Sequence, residues 1–287
     1  MNFKKIIKYL ILIFVSTFLL SCNNNEPENK FFVSLKPELN SKINKHHWEI
    51  KKIKFNDSLD TNWFIDAHQR KKIPYLILEP VNDIETEIFI EELLDGIYIA
   101  ELDHIIGIAK KIKFPIFINF LPLSKFSSIS GKDYKDAYEY ISNYATEKNI
   151  ENIYWIFEII IDDNFNNLDY FPGKSHIKWA SLNTLENKVD ISSINKKIKK
   201  FEFFFPKNLI LGESVTNSFE TNSEFLHFLK NNQKIIGIEI NENTYTKNLN
   251  ALLKDKIFNQ KNETLQKLNN IENVKIPHNQ INDYGNF

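Results

Sequence analysis

Short apolar runs separated by amphipathic stretches recur along almost the whole chain. Residues 31–35 and 48–55 read as the first two strands. Residues 62–72 have helical character and lead into 74–80, whose Pro-Tyr-Leu-Ile-Leu-Glu-Pro is apolar up to its last two residues, as in a parallel strand covered on both faces. Residues 99–112 place Leu102, Ile105, Ile106 and Ala109 on one side of a helix. Strands at 115–121 and 153–160 flank a Tyr- and Ala-rich helix at 133–148. The second half keeps the rhythm, with strands at 177–182, 209–214 and 235–240 and helices at 191–200 and 223–230. A closing amphipathic helix, or helix pair, is expected at 245–270, and a tail at 273–287. About eight βα units predict one (β/α)8 TIM-type barrel over residues 31–272. An open doubly wound sheet is the alternative. It is disfavoured because the chain has only 7 glycines and no Gly-rich phosphate turn follows any strand.

The first 21 residues carry a different pattern. Lys4, Lys5 and Lys8 precede an apolar run from Tyr9 to Leu20, long enough for a signal-peptide core and short of the ~20 residues of a membrane span. The run closes on Leu19-Leu20-Ser21-Cys22, which resembles the lipobox of bacterial lipoproteins. The expectation is a signal peptide over 1–21, lipidation of Cys22 and a polar tether over 22–30. A buried N-terminal helix with a chance cysteine is the plainer alternative. The lipid would make a membrane the first partner and the cell envelope the location, on a face that Asn23-Asn24-Asn25 does not specify.

Cysteine count and charge narrow the picture. Cys22 is the one cysteine of the chain, so no intramolecular disulfide can form and the exported domain must stand on its core. Taking the three leader lysines from the 36 basic residues leaves 33 against 37 acidic ones. A mildly acidic domain gives no electrostatic reason to expect nucleic acid. His46 and His47 are adjacent and would face opposite sides of a strand, and the other histidines are dispersed, so no metal site and no cofactor are expected.

From about residue 60 to 241 the order of segments resembles glycoside hydrolase family 26, the β-mannanase-like barrels. Leu78-Glu79-Pro80 is similar to a family strand ending in Trp-Glu-Pro, with Leu78 in place of the Trp. Asn152-Ile153-Tyr154-Trp155-Ile156-Phe157 resembles an Asn-Val-x-Trp-Val-Trp strand. Tyr170-Phe171-Pro172-Gly173 followed by Ile177-Lys178-Trp179 is similar to Tyr-Tyr-Pro-Gly…Val-Asp-Trp, the most specific of these likenesses. Leu209-Ile210-Leu211-Gly212-Glu213-Ser214 falls where the family has the strand ending in its nucleophilic glutamate. The resemblance implies a TIM-type barrel with any site at the C-terminal ends of the strands.

It also implies a chemistry with one part missing. A retaining glycosidase needs two carboxyl groups about 5–5.5 Å apart, one attacking the sugar and one moving the proton. Glu213 matches the nucleophile position. Lining up Phe114-Pro115-Ile116-Phe117-Ile118 with the family's strand into Arg-Phe-x-His-Glu-Met-Asn puts Asn119 at the Arg, Pro122 at the His and Leu123 at the acid/base Glu. Leucine cannot donate a proton, and that help is typically worth about 10²–10⁴-fold. Glu158, at the neighbouring strand end, is the candidate for a relocated acid; a solvated rim residue is the plainer reading. Glu79, Trp155, Tyr170 and Trp179 fall where the family lines or supports its cleft, against plain roles in loop anchoring and core packing. The function expected is a lipid-anchored, family 26-like barrel without its acid, binding β-linked glycan or serving a structural role. The alternatives are an active divergent β-glycanase using Glu213 and Glu158, and a surface scaffold for other envelope proteins.

Overall fold

A computed structural model describes residues 32–35, 48–70, 72–81, 84–185, 189–201, 209–216, 218–219, 222–232 and 234–240. The leader, Cys22 and the tether, the closing helix expected at 245–270 and the tail lie outside the described residues. The strands are β1 (Phe32–Leu35), β2 (Trp48–Lys54), β3 (Ile73–Glu79), β4 (Ile116–Phe120), β5 (Ile153–Ile160), β6 (Trp179–Asn183), β7 (Leu209–Leu211) and β8 (Ile235–Ile240). They pair in chain order, all parallel, and β8 pairs with β1 to close the barrel. The expected (β/α)8 barrel is the fold observed.

Helices join the strands: α1 (Thr61–Gln69), α2 (Thr86–Leu94), α3 (Ile99–Ile112), α4 (Leu123–Phe126), α5 (Gly131–Glu147), α6 (Asn167–Tyr170), α7 (Ile191–Phe201), α8 (Glu213–Thr216) and α9 (Asn222–Asn231). Local chemistry sets several of their ends. Asp60 caps α1 by accepting the Asn62 amide at 2.8 Å, and Ser130 caps α5 by accepting that of Asp133 at 3.1 Å. Helix α2 was not anticipated from the sequence. Glu85, Glu87, Glu91 and Glu92 make its stretch look polar, yet Phe89, Ile90 and Leu93 on one side of it are buried. The strand expected at 209–214 ends at Leu211, and Glu213 opens a helix instead.

Strand side chains alternate between the lumen and the helical shell. Trp48, Ile73, Tyr75, Phe117, Ile156, Trp179 and Ile210 form one buried cluster inside the barrel, separate from the larger cluster between sheet and helices. Within the lumen, Phe117 and Trp179 meet edge to face at 4.8 Å, and Trp48 lies 6.3 Å from Trp179 and 5.8 Å from Tyr75. Such pairs add about 0.5–1.5 kcal/mol each beyond burial. Trp48 reaches across to β8, where a Cβ on Gly237 would lie 2.4 Å from its ring. The glycine gives the indole its space. The lower barrel is therefore filled, and chemistry is confined to the upper end.

Candidate functional site at the barrel mouth

The same alternation that sends Trp48 and Tyr75 into the lumen carries Lys52 and Lys54 of β2, Glu79 of β3, Glu158 of β5 and Asn183 of β6 toward the C-terminal opening. All of these but Lys52 are held in two networks. In the first, Glu79 accepts from two lysines: Lys54 Nζ at 3.3 Å, and Lys125 Nζ from α4. Burial alone would raise the Glu79 pKa. The hydrogen bonds and charge of Lys125 and then Lys54 outweigh that, and its carboxyl is held below the ordinary value.

The second network spans β4 to β7. Strand β4 leaves through Leu121, whose φ of 46° is left-handed and uncommon for a leucine, and then Pro122. This turn starts α4, where the Ser124 amide donates to Glu158 Oε2 at 2.5 Å and its hydroxyl to Oε1 at 3.1 Å. Asn183 Nδ2 donates to the same Oε1. The Ser214 hydroxyl donates to Asn183 Oδ1 at 2.9 Å and accepts the Thr184 amide at 2.9 Å. A Cβ on Gly212 would fall 1.9 Å from Asn183 Oδ1, so only glycine lets this amide cross to β7. The chain of contacts links Glu158 to the residue next to Glu213.

Glu158 is 2% exposed, so it is not a solvated rim residue. Burial raises its pKa, while the Ser124 and Asn183 donors and the charge of Lys125 oppose the rise. Both oxygens already accept hydrogen bonds from Ser124 and Asn183, so neither faces a ligand free. Leu123, at the aligned acid/base position, is fully buried. Glu213 stands at the exit of β7 as the first residue of α8.

The aromatic candidates lie elsewhere. Trp155 points out of the barrel and meets Tyr138 of α5 at 6.2 Å, with 7% of its surface exposed. Trp179 belongs to the lumen filling and is 2% exposed. Neither ring has a face open to a sugar. Tyr170 stacks on Phe165 at 4.9 Å, and its hydroxyl donates to the Ser127 and Ile129 carbonyls at 3.2 and 2.9 Å. It fastens the loop after β4 to the segment after β5. Sequence reasoning missed Lys54, Ser124, Lys125, Asn183 and Ser214. The one available signal was their place just at or after a strand end, which many loop residues share. No group of three or more metal-ligating side chains occurs among the described residues, and no described helix is long and apolar enough to cross a membrane.

Comparison with solved structures gives consistent matches. The YdhT protein of Bacillus subtilis superposes with a TM-score of 0.58 at 15% identity, covering 80% of this chain and 87% of that one. A Bacillus subtilis mannanase gives 0.58 at 16% identity, over 79% and 86%. The GH26 domain of a Prevotella bryantii endo-β-mannanase/endo-β-glucanase gives 0.56 at 12% identity, over 88% and 94%. This chain has the GH26 fold. Its sequence is divergent for that fold: no family model matches it, and no curated protein matches it.

Proposed function

We propose that this GH26-like barrel binds β-linked glycan without cleaving it, held at the bacterial envelope through lipid on Cys22. One observation carries the non-catalytic part. The exit of β4, where a retaining enzyme of this fold would deliver its acid, presents a fully buried Leu123. The two carboxylates beside it are engaged, Glu79 by Lys54 and Lys125 and Glu158 by Ser124 and Asn183. Glycan is the preferred ligand because the structurally similar barrels include mannanases and because the polar side chains of the lumen gather at its upper end. By alignment Glu213, the first residue of α8, takes the position of the attacking carboxylate.

Purified protein is expected to release no reducing sugar from β-mannan, mixed-linkage β-glucan or xylan, and to bind soluble β-manno-oligosaccharide measurably by calorimetry. Sugar release that disappears in Glu213→Gln would overturn the reading in favour of an active enzyme. The anchor is tested by feeding labelled palmitate to cells. The label is expected in the protein and absent from Cys22→Ser; equal labelling of both would remove the lipid from the account.

A further inference from the structure

Among the described residues, Lys52, Lys54 and Lys125 bring three ammonium groups to the mouth on the β2–β4 side, and Glu79 brings the carboxylate that two of them share. Lys54 and Lys125 both converge on Glu79, yet their side chains remain 36% and 44% exposed while that of Glu79 is 11% exposed. Lys52 lies two residues before Lys54, on the same lumen-facing side of β2, and is exposed. No described ion pair engages it among the described residues. One shared carboxylate cannot neutralise three cations.

Among the described residues, three further acids at or near the lumen already have partners. Glu158 is withdrawn from the opening by Ser124 and Asn183. Glu239 of β8 accepts from the Tyr75 hydroxyl deeper inside. Asp57, just beyond β2, turns its carboxylate back to the Lys54 amide at 2.7 Å. Among the described residues the surplus on this wall is thus positive, although the whole chain is close to neutral. It stands beside the position where the family alignment puts an acid and this chain has Leu123.

Resting on the glycan-binding reading above, we infer that the Lys52–Lys54–Lys125 wall selects glycans that carry carboxylate groups, uronate-bearing chains rather than neutral ones. Lys54 and Lys125 already show the required geometry, since two ammonium groups meet across the width of one carboxylate. A ligand carboxylate would bridge Lys52 and Lys125 beside Glu79. The contact is charge-assisted and its donors are partly solvated, so it weakens as salt screens it.

Calorimetry on the full mature chain, with tetragalacturonate and mannotetraose at low and high salt, tests this. Tighter binding of the uronate is expected, with affinity falling as salt rises. In Lys125→Gln and in Lys52→Gln the ratio of uronate to mannose affinity should fall about fivefold, the size of one partly exposed ion contact. Lys52 makes no ion pair among the described residues, so that variant tests selectivity without disturbing the Glu79 contacts. Equal or tighter binding of mannotetraose, or uronate binding indifferent to salt, would overturn the inference and leave glycan binding standing. Failure of both sugars to bind would remove both. Cleavage of either sugar would end the non-catalytic reading alone, and the selectivity ratio would still decide this one.

Discussion

The lower lumen, from Trp48 to Trp179, and the mouth, from Glu79 to Ser214, use the same inward-facing positions of the same strands, but they are stabilised by different physics. Below, aromatic volume excludes water, and the rings of Trp48, Tyr75, Phe117 and Trp179 are each at most 2% exposed. Above, charged and amide groups satisfy one another in chains that cross from strand to strand. A filled floor tolerates no change of volume, whereas a polar rim tolerates no change of hydrogen-bond sense. The floor keeps the barrel closed. The rim fixes which groups face a ligand, and here it has turned two carboxylates into struts.

Substitutions separate the two regions. The largest effect is expected from Trp48→Ala, which should cost about 3–5 kcal/mol by urea unfolding, because its ring bridges β2 to β8 and nothing can collapse into the space. A loss below about 1 kcal/mol would mean that the lumen is not packed as described. Gly237→Ala, which pushes a methyl into that indole, is expected to cost about 1–3 kcal/mol, and less when combined with Trp48→Leu. Additivity of the two would dissolve the link between them.

At the rim, Asn183→Ala should cost about 1–3 kcal/mol, since it strips a donor from buried Glu158 and the acceptor from Ser214. The two carboxylates then give opposite pH behaviour. The Glu79 pKa is lowered, so its contribution is present above the ordinary value of about 4.5 and is lost as pH falls through its folded value. The Glu158 pKa is raised, so its contribution is fully present below about 4.5 and is lost as pH rises through its folded value. On acidification the melting temperature of wild type should therefore fall toward that of Glu79→Gln and gain on that of Glu158→Gln. Parallel pH profiles for the two variants would erase the distinction. The smallest effect belongs to the exposed Lys132–Asp136 pair on α5, where Lys132→Ala should change stability by no more than about 0.5 kcal/mol.

The fold could be read from the chain because burial on both faces leaves a long signal. Strands β3, β4 and β5 are nearly all apolar, and the helix at 99–112 shows its buried side as a regular spacing of Leu102, Ile105, Ile106 and Ala109. The candidate site was legible only in part. Glu79, Glu158 and Glu213 were visible because they follow apolar runs, but their surroundings were not. Glu158 reads as a rim residue until Ser124, 34 positions earlier, and Asn183, 25 positions later, are brought to it. Trp155 and Trp179 look alike as cleft aromatics in the sequence. The parity of their strands places one under a helix and the other inside the barrel.

By itself, then, the sequence determined the order of strands and helices, the closed parallel architecture they imply and the absence of an acid at Leu123, because each is written in local periodicity or in a single residue type. Only the tertiary structure decided which carboxylates are spent on holding the mouth together and which lysines remain turned toward it. Hydrogen bonds between strand ends join residues 25 to 46 positions apart, and no local pattern records such partners.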